Sequence, residues 1–342
     1  MASIHSFGSN NALEVIDITR PQIGKENLNC SFCDKIAITI RKHSGQSLCS
    51  DCFLTSIEKI IANTISKYNM LKPRDQIIIA LSGGKDSITL LYNLIKIQKK
   101  IYIPRSLIAL TIDEGIEGYR ENTIGIAKNF CKKYGIEHKI VSFKERFGMT
   151  LDDIVKKKKK STNHKYACNY CATIRRRLLN DVAKELGADI LALGHNLTDI
   201  CETFLMNILY KRINLIGSQF PYKEESEEIR NYYIKKVSPL MRLPEEEISL
   251  YTRLNQFETY NSHCPYRKKD PILRRRVLDF IQSCKVYSPE IEFNLFNGFS
   301  ELSNIIYHYY GKQKHKLCKI CGYPSGSAKI CSYCSLKEEL SL

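Results

Sequence analysis

The chain has 342 residues, with 52 lysines and arginines against 36 aspartates and glutamates, a formal net charge of +16. That length can bury a sizeable core and hold two or three modules, and so basic a balance attracts polyanions. No run of about 18 apolar residues is present, so no transmembrane helix and no membrane partner are expected. Residues 1–20 lack the basic start and apolar core of a secretory signal, so the expected location is cytoplasmic.

Residues 1–28 read as a disordered tail. Fourteen cysteines in a chain of this kind suggest metal sites rather than disulfides. Cys30-x2-Cys33 and Cys49-x2-Cys52 give C-x2-C-x15-C-x2-C, a zinc spacing, and define an N-terminal module over 29–53. Each C-x2-C knuckle aims two thiolates at one ion, and four thiolates close a tetrahedral structural site. A linking helix over 54–72, periodic from Leu54 to Leu71, ends at Lys72-Pro73-Arg74.

From 73 to about 240, apolar runs alternate with helical patterns. Expected strands are Gln76–Leu81, Ser106–Ile112, His138–Ser142, Ile190–Leu193 and Tyr232–Val237. Expected helices are Ser87–Lys99, Tyr119–Tyr134, Thr173–Leu186 and Asp199–Tyr210. This order predicts an α/β domain, a parallel sheet with helices on both faces. Its ligands then sit at the carboxyl ends of the strands. Three polar turns fall there: Ser82-Gly83-Gly84-Lys85-Asp86-Ser87, Asp113-Glu114-Gly115 and Gly194-His195-Asn196. The first is the most informative. An apolar strand, a glycine turn and a helix start form the geometry that cradles a phosphate, because the first helical N–H groups and the helix dipole face the anion. The motif is not the G-x-x-x-x-G-K-[ST] of Walker A.

Residues 241–310 read as a helical extension, through Glu245–Phe257, Ile272–Cys284 and Pro289–Ile306, and carry Cys264. A C-terminal zinc module over 311–342 holds Cys318-x2-Cys321 and Cys331-x2-Cys334, spaced C-x2-C-x9-C-x2-C. Basic runs occur at Lys156–Lys160, Arg175–Arg177, Arg267–Lys269, Arg274–Arg276 and Lys312, Lys314, Lys316. One run alone is a solvated face; several beside a nucleotide loop favour nucleic acid. Cys131, Cys201 and Cys284 sit in apolar patterns and read as small core residues.

Cys168-x2-Cys171 follows a basic loop, Lys156–Lys165, and precedes a helix start at Thr173; no second knuckle lies nearby. With Cys264 it admits three readings. The three thiolates can hold three irons of a [4Fe–4S] cluster, leaving one iron open. They can form a partly filled zinc site. Or Cys168 and Cys171 can serve as persulfide nucleophile and resolving thiol.

The loop Ser82–Ser87 resembles the PP-loop of the ATP pyrophosphatase superfamily. The full set is more specific: the leading four-cysteine site with Ser44-Gly45-Gln46-Ser47-Leu48-Cys49, the loop, Asp113-Glu114-Gly115-Ile116-Glu117-Gly118-Tyr119-Arg120, Cys168-x2-Cys171 with Arg175-Arg176-Arg177, Gly194-His195-Asn196-Leu197-Thr198-Asp199, Cys264-Pro265-Tyr266 and the trailing site. Over residues 29–336 it resembles the tRNA 2-thiolation branch that modifies wobble uridine 34.

That resemblance implies ATP with Mg²⁺ bound by Ser82, Gly83, Gly84, Lys85, Asp86, Ser87, Arg175, Gly194, His195 and Asn196. It implies Lys85, Asp199, Cys168 and Cys171 as catalytic, Cys168, Cys171 and Cys264 as iron–sulfur ligands, and zinc in both terminal modules, which grip tRNA. It also implies a ubiquitin-like thiocarboxylate as sulfur donor and pairing with a related non-catalytic subunit or a second copy. Plainer readings stand beside these: His195 as a helix cap, Asp199 as a dipole partner, and Arg176 and Arg177 as solvated phosphate contacts. Two departures appear: Ala172 where relatives often carry glycine, and Arg267-Lys268-Lys269-Asp270-Pro271 where they carry an alanine and a phenylalanine–arginine pair. The competing functions are 2-thiolation of ribothymidine 54 and, in another class, a non-catalytic zinc-ribbon RNA-binding protein with a relic loop.

Overall fold

The structure, a computed structural model, describes residues 28–100, 107–158, 166–219, 230–260, 264–268, 273–310, 316–326 and 328–342. Residues 1–27 of the expected tail, and Lys159, Lys160, Lys269, Lys312 and Lys314 of the basic runs, lie outside the described residues. The chain divides into two units, Met1–Phe53 and Leu54–Leu342.

In the first unit, β1 (Thr39–Arg41) and β2 (Gln46–Leu48) form an antiparallel hairpin. Gly45 turns it at φ 69°, a left-handed conformation that glycine adopts without steric cost. Helix α1 (Ser50–Lys67) starts within this unit, four residues before the sequence-predicted start.

In the second unit, β3 (Ile77–Ala80), β4 (Ile108–Asp113), β5 (Glu137–Ser142), β6 (Ile190–Ala192) and β7 (Lys235–Val237) form one sheet. Every pairing is parallel, and the spatial order is β5-β4-β3-β6-β7. The expected α/β sheet is therefore present. The chain builds outward from β3 in one direction and then crosses to the other side of β3 for β6. Right-handed crossovers then put α2 (Lys85–Gln98) and α3 (Arg120–Tyr134) on one face and α6 (Ala167–Glu185) on the other. The reversal between β3 and β6 opens the crevice where such sheets bind ligands.

On the α6 face, Ile78, Leu110, Ile112, Val141 and Leu191 pack against Tyr170, Ile174, Leu178 and Val182, all buried. Alternate strand residues, such as Ile79, Ala109 and Ala192, are buried on the opposite face.

The pattern departs from expectation after β5. Two short helices, α4 (Phe143–Phe147) and α5 (Leu151–Lys158), occupy a stretch whose basic part reads as loop. Each begins in a capping box: Ser142 with Glu145, and Thr150 with Asp153. Lys156, Lys157 and Lys158 form the last turn of α5, where cations complement the helix dipole. Helix α6 begins at Ala167, not Thr173, so Cys168 and Cys171 lie in its first turns. No side chain caps it at Tyr166, which left the start without a sequence signature.

The rest is helical, apart from β7 and a C-terminal ribbon. It comprises α7 (Leu197–Leu209), α8 (Ile213–Ser218), α9 (Glu245–Leu254), a 3₁₀ turn at Pro265–Lys268, α10 (Leu273–Tyr287), α11 (Ile291–Tyr310), the ribbon β8 (Lys316–Leu317) with β9 (Pro324–Gly326), and α12 (Ser332–Glu339). Leu336 and Leu340 join the core on the α6 face. No helix among the described residues is long and apolar enough to cross a membrane.

Two constraints fix the loop after β3. Gly83 has φ 82°, and a Cβ there would stand 2.1 Å from the Thr123 carbonyl oxygen of α3. Arg120, the first residue of α3, donates to the Ile112 carbonyl (2.5 Å) and the Ser82 carbonyl (3.3 Å), and its Nε lies 2.6 Å from Glu114. Both members of that ion pair are buried.

Gly83→Ala is expected to cost at least about 1–2 kcal/mol from the left-handed backbone alone. The clash with α3 adds to this, and nucleotide binding should be lost by calorimetry. Arg120→Met should destabilise the chain by about 3–5 kcal/mol in urea titrations, because it strips Glu114 of its buried partner.

Candidate active site and metal centres

The turn Ser82–Ser87 ends β3 and opens α2. The Ser87 hydroxyl accepts from Ser82 N–H (3.1 Å) and donates to the Gly84 carbonyl (3.0 Å), closing the loop. Gly84 is the N-cap of α2 and has no side chain to cap it. The first helical N–H groups, those of Lys85, Asp86 and Ser87, are therefore presented as an anion cradle. The helix starts two residues earlier than its apolar pattern indicated, which puts Lys85 and Asp86 in the first turn.

Lys85 Nζ lies 2.7 Å from Glu245 and 3.1 Å from Asp86. Burial disfavours its charge, but Asp86 and Glu245 outweigh this and hold its pKa above the usual lysine value. Burial raises the Asp86 carboxyl; Lys85 and Asn196 oppose that shift. Asn196 donates to Asp86 Oδ1 (3.0 Å) and so ties the β6 turn to the β3 turn. At Gly194 an added Cβ would meet the Asp86–Ser87 backbone at 3.2 Å, so the two turns nearly touch.

Asn196, not His195, caps α7. Its side chain accepts from Asp199 N–H while Asp199 accepts from Asn196 N–H, a capping box. The other Asp199 oxygen accepts from Arg274 (2.9 Å), whose Nε meets buried Glu202 at 2.5 Å. His195 is exposed at the rim of the strand ends. Desolvation by the surrounding protein, aided by Arg274, Arg176 and Arg175, holds its pKa below the ordinary imidazole value, while Asp199 opposes this.

Glu114 joins this region to α6. One oxygen meets Arg120 and the other meets Arg175 Nη1 at 3.3 Å. Arg175 stands one helical turn after Cys171, and its charge acts on both Cys171 and Cys168. Cys168 is exposed and Cys171 half-buried. Burial pushes the Cys171 thiol up to about 12; Arg175 opposes this, and Glu114 and Cys264 add to it. Cys264 packs against the same core cluster as Cys171, and its charge also reaches Tyr119. Cys168 in turn acts on Arg274. The loop, Asp199, Arg274, Arg175 and the three cysteines therefore share one electrostatic neighbourhood, assembled from β3, β6, α6, α10 and the segment before the 3₁₀ turn.

Two sulfur sets are tighter. In each of Cys30, Cys33, Cys49, Cys52 and Cys318, Cys321, Cys331, Cys334, the ligand atoms lie within 4.8 Å of one another, as thiolates around a single ion do. Cys168, Cys171 and Cys264 do not form so compact a set. A four-iron cluster is larger than a single ion, so holding one does not require that compactness. Cys131 and Cys201 are buried and Cys284 half-buried.

Several site residues were missed. Glu114 and Arg120 sit in a quoted motif but were given no role. Glu245 and Arg274 come from distant helices, and nothing local marks them. Arg274 lies in the basic run Arg274–Arg276, and two carboxylates, Asp199 and Glu202, hold it.

A family profile described as PP-loop domain matches residues 53–278. A probable sulfurtransferase of Methanocaldococcus jannaschii is 35% identical over 91% of this chain and 87% of its own. The tRNA 2-thiolation protein NcsA of Haloferax volcanii is 32% identical over 92% and 99%. The solved U34-tRNA thiolase NcsA of Methanococcus maripaludis, with its [4Fe-4S] cluster, superimposes with a TM-score of 0.75 at 32% identity, covering 91% of this chain and 96% of that one. The chain belongs to the PP-loop family, in the branch whose relatives are tRNA 2-thiolation proteins.

Proposed function

We propose that this chain activates C2 of wobble uridine 34 in tRNA with ATP and replaces its oxygen with sulfur. One observation supports the reading: the phosphate-cradling turn is joined through Arg120 and Glu114 to Arg175, one helical turn after Cys171, and Cys171 and Cys264 pack against the same core cluster. A zinc-ribbon RNA binder has no use for that conjunction.

The C2 carbonyl of uracil resists substitution because its oxygen leaves poorly. In the first step that oxygen attacks the α-phosphorus of ATP and pyrophosphate departs. The Ser82–Gly84 backbone and the open α2 N-terminus hold the phosphates. Lys85, released from Glu245, neutralises the charge that develops on the leaving group. Asp86 and Ser87 help to hold Mg²⁺, and Arg175, His195 and Asn196 line the nucleotide. In the second step sulfide attacks C2 and AMP leaves. A bound [4Fe–4S] cluster supplies an open iron where sulfide is held. Cys168, Cys171 and Cys264 are its ligands, and Arg175 and Arg274 offset their negative charge. Asp199 is kept oriented by Asn196 and Arg274 and serves the reacting base.

The terminal four-cysteine sets each take a zinc ion and, with the basic segments, contact tRNA in the cytoplasm. The base must be splayed out, as loop bases can be. A ubiquitin-like thiocarboxylate is the sulfur donor, and a second copy or a related non-catalytic subunit pairs with the chain.

The test combines cluster-loaded protein, ATP, Mg²⁺, sulfide and unmodified tRNA. Thiouridine is read on a mercury-retarding gel and located by tandem mass spectrometry. Sulfur at position 34 is expected; sulfur at 54 transfers the reading to ribothymidine, and tight tRNA binding without pyrophosphate release returns it to a binding protein. Lys85→Ala should lower pyrophosphate release and thiouridine together, by about 10²–10³. Alanine at Cys168, Cys171 or Cys264 should abolish thiouridine and iron content while pyrophosphate release continues.

A further inference from the structure

Arg177 stands midway along α6, between the cysteine pair and the helix end. As part of a basic run it reads as a phosphate contact, yet only 17% of its side chain is exposed. Its Nε meets Asp181 at 2.6 Å, one turn on. The guanidinium carbon lies 3.7 Å from the Tyr323 ring centroid and 5.2 Å from that of Tyr333. Nη1 donates to Cys321 Sγ at 3.7 Å. Both aromatic residues adjoin cysteines of the C-terminal set. The guanidinium thus spends its Nε and Nη1 edge on Asp181 and Cys321 and its face on Tyr323, inside the protein.

Neighbouring contacts fasten the same two elements. Asn180 is 1% exposed and donates to Tyr323 Oη (2.6 Å) and to the Tyr232 carbonyl (2.8 Å). At the other end, Tyr170 Oη donates to Glu339 of α12 (2.7 Å). The C-terminal module therefore grips α6 from Tyr170, between Cys168 and Cys171, to Asn180.

We propose that Arg177 is a positioning residue of the C-terminal metal site, and that the metal held there fixes α6 and thereby the presentation of Cys168 and Cys171. Four thiolates around one divalent ion carry a net charge of −2, and a guanidinium N–H on one of them offsets part of it. Arginine suits the place and lysine does not. Only a planar fork can meet Asp181 through Nε and Cys321 through Nη1 while stacking on Tyr323. The consequence for the cysteine pair rests on the thiolation reading, whereas metal retention does not.

The test uses the full chain loaded with Zn²⁺ and needs no iron, ATP or tRNA. A chromogenic chelator reads metal release, and cadmium substitution followed by NMR assigns each step to one four-cysteine site. Arg177→Ala and Arg177→Lys should weaken retention at the C-terminal site by about tenfold to a hundredfold. The N-terminal site should be unchanged. Arg177→Lys keeps a cation beside Asp181 and Tyr323, so it separates loss of the thiolate contact from loss of fold. Release at the wild-type rate from Arg177→Lys overturns the proposal, as does equal acceleration at both sites. Hydrogen exchange across residues 167–175 should rise when the C-terminal metal is extracted; unchanged exchange there overturns the link to the cysteine pair.

Discussion

A single carboxylate, Glu114, sits where the nucleotide turn and the cysteine helix meet. It is 3% exposed, lies just past the end of β4, and faces two arginines from opposite sides of the sheet. Arg120 continues from it to the Ser82 carbonyl of the loop. Arg175 continues from it to the turn that bears Cys171. A buried carboxylate without cations is strongly disfavoured, and a buried guanidinium without a carboxylate equally so. Mutual need therefore holds α3 and α6, which lie on different faces, at a fixed separation across the end of β4. Loop and cysteines need that fixed separation if one substrate atom is to be reached from both.

The same logic governs the charges within the crevice. Lys85 rests on Glu245 and Asp86, and Asp199 rests on Arg274. A lysine so placed need not be desolvated anew when phosphates arrive, since it exchanges one set of anionic oxygens for another. Glu245 comes from the first turn of α9, where its charge also complements the helix dipole. It can give up the lysine without becoming unsupported. Lys85 and Asp199 are each held beside a half-exposed counter-ion, Glu245 and Arg274, whereas Glu114 and Arg120 form a buried pair that supports the site.

The sheet and the phosphate turn were legible because they depend on short-range rules. Apolar runs of four to six residues, a double glycine and the helix after it are read within one window. Both four-cysteine sets were legible for the same reason. Helices α4 and α5 carried capping boxes that were open to reading, at Ser142 with Glu145 and Thr150 with Asp153. The lysine run that follows these boxes dominates the local composition and masks that signal. The start of α6 was not legible, since Tyr166 offers no cap and cysteine is a poor helix former. Partnerships such as Lys85 with Glu245 span 160 residues, and no periodicity carries such a signal.

The basic runs show most clearly where composition misleads. Arg175, Arg177 and Arg274 belong to segments that sequence alone assigns to RNA, yet each is engaged within the protein: with Glu114, with Asp181 and Cys321, and with Asp199 and Glu202. Their electrostatic work is partly internal, since each offsets a carboxylate or thiol that the fold brings beside it. The count of 52 lysines and arginines therefore overstates the cations free to meet a polyanion, while the net +16 already sets them against 36 acids. An arginine already paired with a carboxylate contributes less to counterion release than an unpaired one, so the salt dependence of binding is set mainly by the unpaired cations. Recognition of tRNA then depends less on the number of basic residues than on which of them lack an internal partner.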